Sequence, residues 1–388
     1  MLNRFCSIFS QLLQLFPKSE LFQAIKGTGA ERRTKGFSCW GQFVAMLFCQ
    51  LGRAHTRREI TGGLRSCEGK LQHLGITAPC RSTLAYANAH RPWQLYQEIF
   101  LHLLQHCRSQ VPSQKKLRFK NPLRSLDSST TDLSVTLFDW GKFRRPKGAI
   151  KLHLVLDHDG CLPSFALITE GKGSDVKIAH HLRFDPGTLV VYDRGYNDFE
   201  LFGKWTAQGV FFLTRMKENT LYQVVGERSS SSPSNILKDE LIELIGYQAQ
   251  VKCPFPLRRI EFYQAEKKEI LVFLTNRPDL SARAVAAIYK DRWQIEIFFK
   301  ALKQNLKIKT YVGTNANAVK IQVWTALIAI LVLKYLQLLS QLKWSLSNLV
   351  ALLRMNLFTH RDLMAWLNKP FEIPPIPYEQ EQLALNLV

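Results

Sequence analysis

A chain of 388 residues has room for two or three domains, and its 46% hydrophobic content supports a substantial core rather than a disordered or low-complexity polypeptide. Against 31 Asp and Glu stand 52 Lys and Arg, a formal net charge of +21, so the expected partner is anionic, with nucleic acid ahead of a membrane surface. Neither a GxxxxGK[ST] phosphate loop nor a GxGxxG turn after a predicted strand is present, which sets aside nucleotide-driven chemistry.

Taken in order, residues 1–110 read as all helix, at 3–16, 37–51, 56–66, 82–91 and 92–107. The first carries Leu2, Phe5, Phe9, Leu12, Leu13 and Phe16 but is interrupted by Gln11 and Gln14, so it is amphipathic and not a secretory signal. Eight cysteines without a CxxC pair are expected to be reduced thiols of a cytosolic protein. Residues 1–120 hold 18 Lys and Arg against five Glu and no Asp, which makes this third the better candidate for contacts with a phosphate backbone. The segments 55–64 and 82–90 form a weak helix-turn-helix-like pair with a long connection. On one reading Arg81, Ser82, Thr83, Tyr86 and Asn88 face DNA, and on the other Leu84 and Tyr86 pack a small bundle.

A basic segment, QKKLRFK at 114–120, leads into strands predicted at 123–128, 132–138 and 150–156, helix 174–182, strand 188–193, helix 198–208 and strand 210–214. Residues 215–276 turn to short strands, TLYQVV, YQAQVKC, LRRIEFYQA and EILVFLT, with SSSSPSN as a flexible loop. Over 289–303 the spacing predicts one helix: Ile288, Ile295, Phe298, Phe299 and Leu302 form a buried stripe. Arg292, Glu296, Lys300 and Lys303 form a second stripe with Tyr289 a turn above, which for an arbitrary helix is a solvated, salt-bridged face. In IQVWTALIAILVLKYLQLL the uninterrupted apolar run covers only 323–333, short of a span, so a core helix is expected. A helical pair over 344–367 and an extended, acidic, Pro-rich end close the chain.

Three carboxylates occupy positions suited to chemistry. Asp127 sits where an apolar residue meets a run of small hydroxyl residues, Asp193 ends the strand TLVVYD, and Glu296 lies on the late helix. Converging, they would offer hard oxygen ligands to divalent ions, and two ions about 3.5–4 Å apart clamp both oxygens of an in-line phosphoryl displacement. Asp132, Asp157, Asp159 and Asp175 are rivals, of which Asp157 and Asp159 border the Gly160 turn and read as turn formers. Ser128 and Ser129 have no recognisable triad spacing to His153 or His158.

At these residues the chain resembles the DDE transposases of bacterial insertion sequences, specifically the cut-and-paste group (family four) marked by Y-x2-R-x3-E-x6-K. That signature is met by Tyr289, Arg292, Glu296 and Lys303, and the D-x-G-Y/F motif by Asp193, Gly195 and Tyr196. The resemblance covers roughly residues 122–320. It implies an α/β fold with an RNase H-like mixed-sheet catalytic core and a β-rich insertion, an all-α N-terminal DNA-binding region before it and C-terminal helices after it. The divisions it suggests are 1–113, 114–214, 215–276, 277–340 and 341–388. Asp127, Asp193 and Glu296 are then the catalytic and metal-binding residues, for Mg²⁺ or Mn²⁺, two per site. Tyr289, Arg292 and Lys303 hold the 5′-end phosphates, with Lys300, Arg194, Lys151, Arg81, Ser82 and Thr83 as weaker DNA-contact candidates. The implied activity is transposition by strand cleavage and strand transfer through a hairpin. The implied partners are double-stranded DNA and a second copy of the chain, with no membrane and no nucleotide cofactor, in the cytoplasm at the nucleoid. The competing reading is an inactive or domesticated DNA-binding protein. The family's base-stacking tryptophan in the insertion has no counterpart between Trp205 and Trp293, leaving Phe262, Tyr263 or Phe273, which more readily pack the insertion's sheet.

Overall fold

The computed structural model describes residues 6–110, 121–134, 147–305 and 311–372, apart from 33, 35, 68, 70, 172 and 229–234. The basic segment 114–120, the far end of the strand expected at 132–138, most of the serine loop and the Pro-rich end lie outside the described residues.

Six helices lead: α1 (Ile8–Leu13), α2 (Lys18–Thr28), α3 (Cys39–Leu51), α4 (Arg57–Ser66), α5 (Arg81–His90) and α6 (Gln94–Gln110). The sequence pattern missed α2, whose apolar positions are sparse, although Pro17 before it and Gly29 after it, left-handed at φ 64°, are ordinary helix punctuation. Then follow β1 (Leu123–Ser134), β2 (Lys147–Asp157), β3 (Leu162–Glu170), α7 (Asp175–His181), β4 (Leu189–Tyr192), α8 (Phe199–Ala207) and β5 (Phe211–Arg215). The strand expected at 123–128 and the described start of the one expected at 132–138 are one continuous strand to Ser134, because the intervening Ser and Thr residues pair with β2 without a turn. The third strand is instead β3, whose half-exposed residues alternate too weakly to be recognised.

The next stretch holds β6 (Tyr222–Glu227), β7 (Ile236–Leu244), α9 (Tyr247–Lys252), β8 (Leu257–Gln264) and β9 (Glu269–Thr275). YQAQVKC is therefore helical, entered through Gly246 at φ 105°, and the real second strand of this part is β7. The chain ends in α10 (Ala282–Asp291), α11 (Trp293–Asn305), α12 (Ala316–Leu339), α13 (Leu346–Asn356) and α14 (Leu363–Asn368). The single helix expected over 289–303 is thus two, joined at Arg292.

The nine strands among the described residues form one sheet in the order β3-β2-β1-β4-β5-β9-β8-β7-β6. Strands β1 to β3 are antiparallel neighbours, while β4 and β5 run parallel to β1. With helices on both faces this is the RNase H-like arrangement, and the inserted strands extend it edge-on through the β5–β9 pair. Strand β4 is buried on both sides, Leu189 and Val191 under α10 and Val190 and Tyr192 under α8, which is why it reads as an unbroken apolar run.

Helix α12 is the other organiser. By length and composition it would cross a membrane, but 83% of its most apolar window is buried inside the protein. It packs against α3, α5, α6, α13 and β3, so the N-terminal helices and one face of β2 and β3 share a single core with it. Asn317 ties its start to the α5–α6 junction, donating to the carbonyls of Asn88 and Arg91 at 2.9 and 2.6 Å.

Candidate active site

Side chains alternate along a strand, so Leu123, Ser125 and Asp127 share one face of β1, the face covered by α10 and α11. Parallel pairing sets Leu126 opposite Tyr192, and the next residue on each strand is Asp127 and Asp193. Backbone amides orient both acids: Asp127 Oδ1 accepts the N–H of Ser128 and Asp193 Oδ1 that of Gly195, each at 2.8 Å. Helix α11 lies against β1. Its apolar stripe of Ile295, Phe298, Phe299 and Leu302 is buried, and Lys303 Nζ donates to the carbonyl of Thr130 at 3.1 Å.

Glu296 then faces the strand acids. Burial pushes the Asp127 carboxyl up to about 6, and the charges of Asp193 and Glu296 push the same way; the Ser128 amide and Arg292 oppose them. Arg292, itself buried, donates from Nη2 to Glu296 Oε1 at 2.7 Å, and its guanidinium lies 5.3 Å from the centre of the Tyr289 ring.

Asp127, Asp193 and Glu296 each retain one oxygen that no hydrogen bond reaches among the described residues. Hard oxygen donors around an acid destabilised first by burial and then by two neighbouring acids suit a divalent cation, whose charge would offset both. In this arrangement Arg292 holds Glu296, and the described residues contain no group of three Asp, Glu, His or Cys side chains drawn together as ligands.

The remaining candidates are placed unequally. Lys300 is exposed, and Arg194 is exposed with Glu218 at 3.4 Å. Lys151 drops out as a phosphate contact, because it is mostly buried, with Asp175 at 3.0 Å and the Gly173 carbonyl at 3.3 Å. Asp175 is thereby accounted for as an ion-pair partner, Asp157 pairs with Arg124, and the amide of Asp159 caps Asp157 in the turn. The Asp132 side chain lies outside the described residues. Arg81, Ser82 and Thr83 form the first turn of α5, which packs on α3, α4 and α12. Asn88 cannot face a ligand: it is buried and accepts from Gln42 Nε2 at 2.7 Å. Tyr86 is 68% exposed, stacked on His90, so it does not pack the bundle.

Beside the carboxylates an open groove of about 1080 Å³ runs between β8–β9 and α10, with Arg215, Arg283, Lys290 and Arg292 on its walls. Phe273 is core, packed on Tyr289 at 4.9 Å, and Phe262 packs on Phe273. Among the described aromatic side chains lining this groove Trp293 is the most open, 56% exposed. The sequence reading passed over it, although a Trp directly after Arg292 and outside the apolar stripe was a usable signal.

The chain matches the family model described as the transposase DDE domain over residues 121–332, and a domain of unknown function over residues 6–77. It is similar to a protein of Sinorhizobium fredii described as a transposase, 32% identical over 306 residues that cover 77% of this chain and 82% of that protein. A protein of Geobacillus stearothermophilus described as a transposase for an insertion sequence element is 29% identical over 256 residues, 66% of this chain and 67% of that one. Among solved structures, a piggyBac transposase synaptic complex with hairpin DNA aligns over 95% of this chain and 82% of that one at 9% identity and a TM-score of 0.42, too slight a likeness to carry an argument.

Proposed function

Because the chain belongs to the transposase DDE domain family, we propose that it is the transposase of an insertion sequence that binds the element's inverted repeats and moves it by cut-and-paste. The observation that carries this reading is the partly buried Asp127, its carboxyl raised to about 6 in the company of Asp193, Glu296 and Arg292. An uncompensated acid of this kind is costly to keep unless the site uses it.

Asp127, Asp193 and Glu296 would hold the divalent ions, Mg²⁺ or Mn²⁺ and two per site. When bound, such ions activate a water or 3′-hydroxyl nucleophile and steady the leaving 3′-oxygen. The chain's own residues do the rest. Arg292 exchanges Glu296 for a 5′-end phosphate, presenting a planar fork to two phosphate oxygens, while Lys303 adds a point charge and Tyr289 a hydroxyl. Lys300 and Arg194 extend this cationic surface. Trp293, exposed beside Arg292, offers a face on which an unstacked terminal base can rest. The sharp bend of a hairpin intermediate requires the end to be held in this way, and the released 3′-hydroxyl then attacks target DNA.

In this reading residues 1–113 recognise the ends through Arg81, Ser82 and Thr83, residues 215–276 wall the groove, and two copies of the chain hold two ends in the cytoplasm at the nucleoid. The test incubates the full-length protein with a labelled duplex from the flanks of its own gene, in Mg²⁺ and in Ca²⁺. Nicks and hairpins confined to the element's ends and dependent on Mg²⁺ are expected. Tight end binding with no strand cleavage in Mg²⁺ or Mn²⁺ would instead identify a domesticated DNA-binding protein.

A further inference from the structure

Three residues far apart in sequence meet behind the carboxylates. His158, in the turn between β2 and β3, has Nδ1 2.6 Å from Asp291 Oδ2 and Nε2 2.6 Å from Ser125 Oγ. The Asp291 carboxylate selects the tautomer with the proton on Nδ1, so Nε2 accepts the Ser125 hydroxyl proton. In outline this is the serine, histidine and acid order of a hydrolase. Ser125, however, is 0% exposed in the middle of β1, where no substrate can reach it. The arrangement therefore does not act as a nucleophile site, and its meaning lies in what it connects.

Ser125 is two residues before Asp127 on the same face of β1. Asp291 is the last residue of α10, immediately before Arg292 at the break between α10 and α11. His158 is itself fixed, 8% exposed with its amide donating to the Leu123 carbonyl at 3.1 Å. One rigid imidazole thus spans the strand that carries one catalytic acid and the joint that aims Arg292 and, one turn later, Glu296. The joint itself is held by short-range backbone bonds, the Arg292 amide to the Tyr289 carbonyl at 3.2 Å and the Ile295 amide to the Arg292 carbonyl at 3.1 Å, and the bridge adds a restraint from outside the helices. Displacing a reacting group by about 1 Å costs on the order of 10²-fold in rate.

We propose that Ser125, His158 and Asp291 form a positioning strut that sets the α10–α11 joint, and with it Arg292 and Glu296, against the Asp127 strand. For its effect on rate the inference rests on the transposase reading; for its effect on the joint it does not. Asp291→Ala removes the strut's outer end, Ser125→Ala its inner end, and Asp291→Asn keeps an acceptor for the His158 Nδ1 proton. The full-length variants are compared by single-turnover nicking of the end duplex in Mg²⁺, by end-duplex affinity, and by hydrogen exchange of the amides of residues 289–296 in the DNA-free protein.

The strut predicts that Asp291→Ala slows nicking about 10- to 100-fold with affinity within about twofold. It also predicts faster exchange confined to the joint, a smaller change of the same kind in Ser125→Ala, and recovery of most of both effects in Asp291→Asn. Unchanged exchange at the joint in both alanine variants overturns it, as does an equal loss of rate in the Ala and Asn variants. A wild-type protein that does not nick removes the functional reading alone, since the exchange comparison still decides the strut.

Discussion

Asp127 carries the site's energetic tension. Burial and two neighbouring acids raise its carboxyl from 3.8 to about 6, so between those values the folded protein binds more protons than the unfolded chain, and stability falls as pH rises through the window. Replacing Asp127 by Asn removes the charge without removing volume. In chelator, the variant should melt above the wild type at pH 7, by about 1 to 3 kcal/mol of unfolding free energy, and the gap should close near pH 4. A variant less stable than the wild type at pH 7 would show that the carboxylate is structurally satisfied. At this scale motif and spacing name Asp127, Asp193, Glu296 and the Tyr289, Arg292 and Lys303 set as candidates, and the structure brings Asp193 and Glu296 within electrostatic reach of Asp127. Lys151 and Asn88 were misread because a sequence shows a charge or an amide but not the Asp175 or Gln42 that occupies it.

Among elements, the informative departure is the joint between α10 and α11. Periodicity sees one stripe across 288–302 because both helices bury the same side, Ile288 with Ile295, Phe298 and Leu302. It cannot see a break at a single residue that keeps helical dihedrals, φ −50° and ψ −30° at Arg292. Arg292, at the break, is buried between Glu296 and Tyr289. On a merely solvated face, Arg292→Gln would cost a few tenths of a kcal/mol and leave DNA processing intact. Instead we expect a folded protein that accumulates nicked ends with few hairpins, since the bend needs the phosphate clamp. The defect should be milder at low salt, where the remaining cations bind phosphate more strongly. Hairpin formation at the wild-type rate, followed on sequencing gels over an ionic-strength series, would return the side chain to a structural role. The strand errors have a similar origin: the partner strand, not local propensity, decides that 123–134 is continuous and that 162–170 pairs at all.

At the scale of the whole molecule, the N-terminal helices share their buried core with α12. Ile321, Trp324, Leu327, Ile328 and Leu331 of α12 are buried in a core shared with α3 and α6, and Trp324 stacks on Trp93 and packs at a tilt against Phe100. At roughly 1.5–3 kcal/mol for each buried side chain, their loss rivals the ~5–15 kcal/mol by which a domain is stable. A fragment of residues 1–120 should therefore be unfolded or aggregated by circular dichroism despite its positive charge, and co-expression with a chain containing α12 should rescue it. A fragment that melts cooperatively alone would contradict this. The charge count identified which third of the chain is basic, but composition holds no information on long-range packing.

Asp127, Asp193 and Glu296 are proposed to form one strand-cleaving site. The most direct measurement is single-turnover cleavage of a labelled end duplex at saturating DNA by the three single alanine variants, each checked for end affinity and melting. Folded proteins are expected that bind the end within about twofold of the wild type and lose cleavage by at least about 10³-fold in all three cases, consistent with a shared cation site. Cleavage retained by Glu296→Ala, with binding and folding intact, would contradict it.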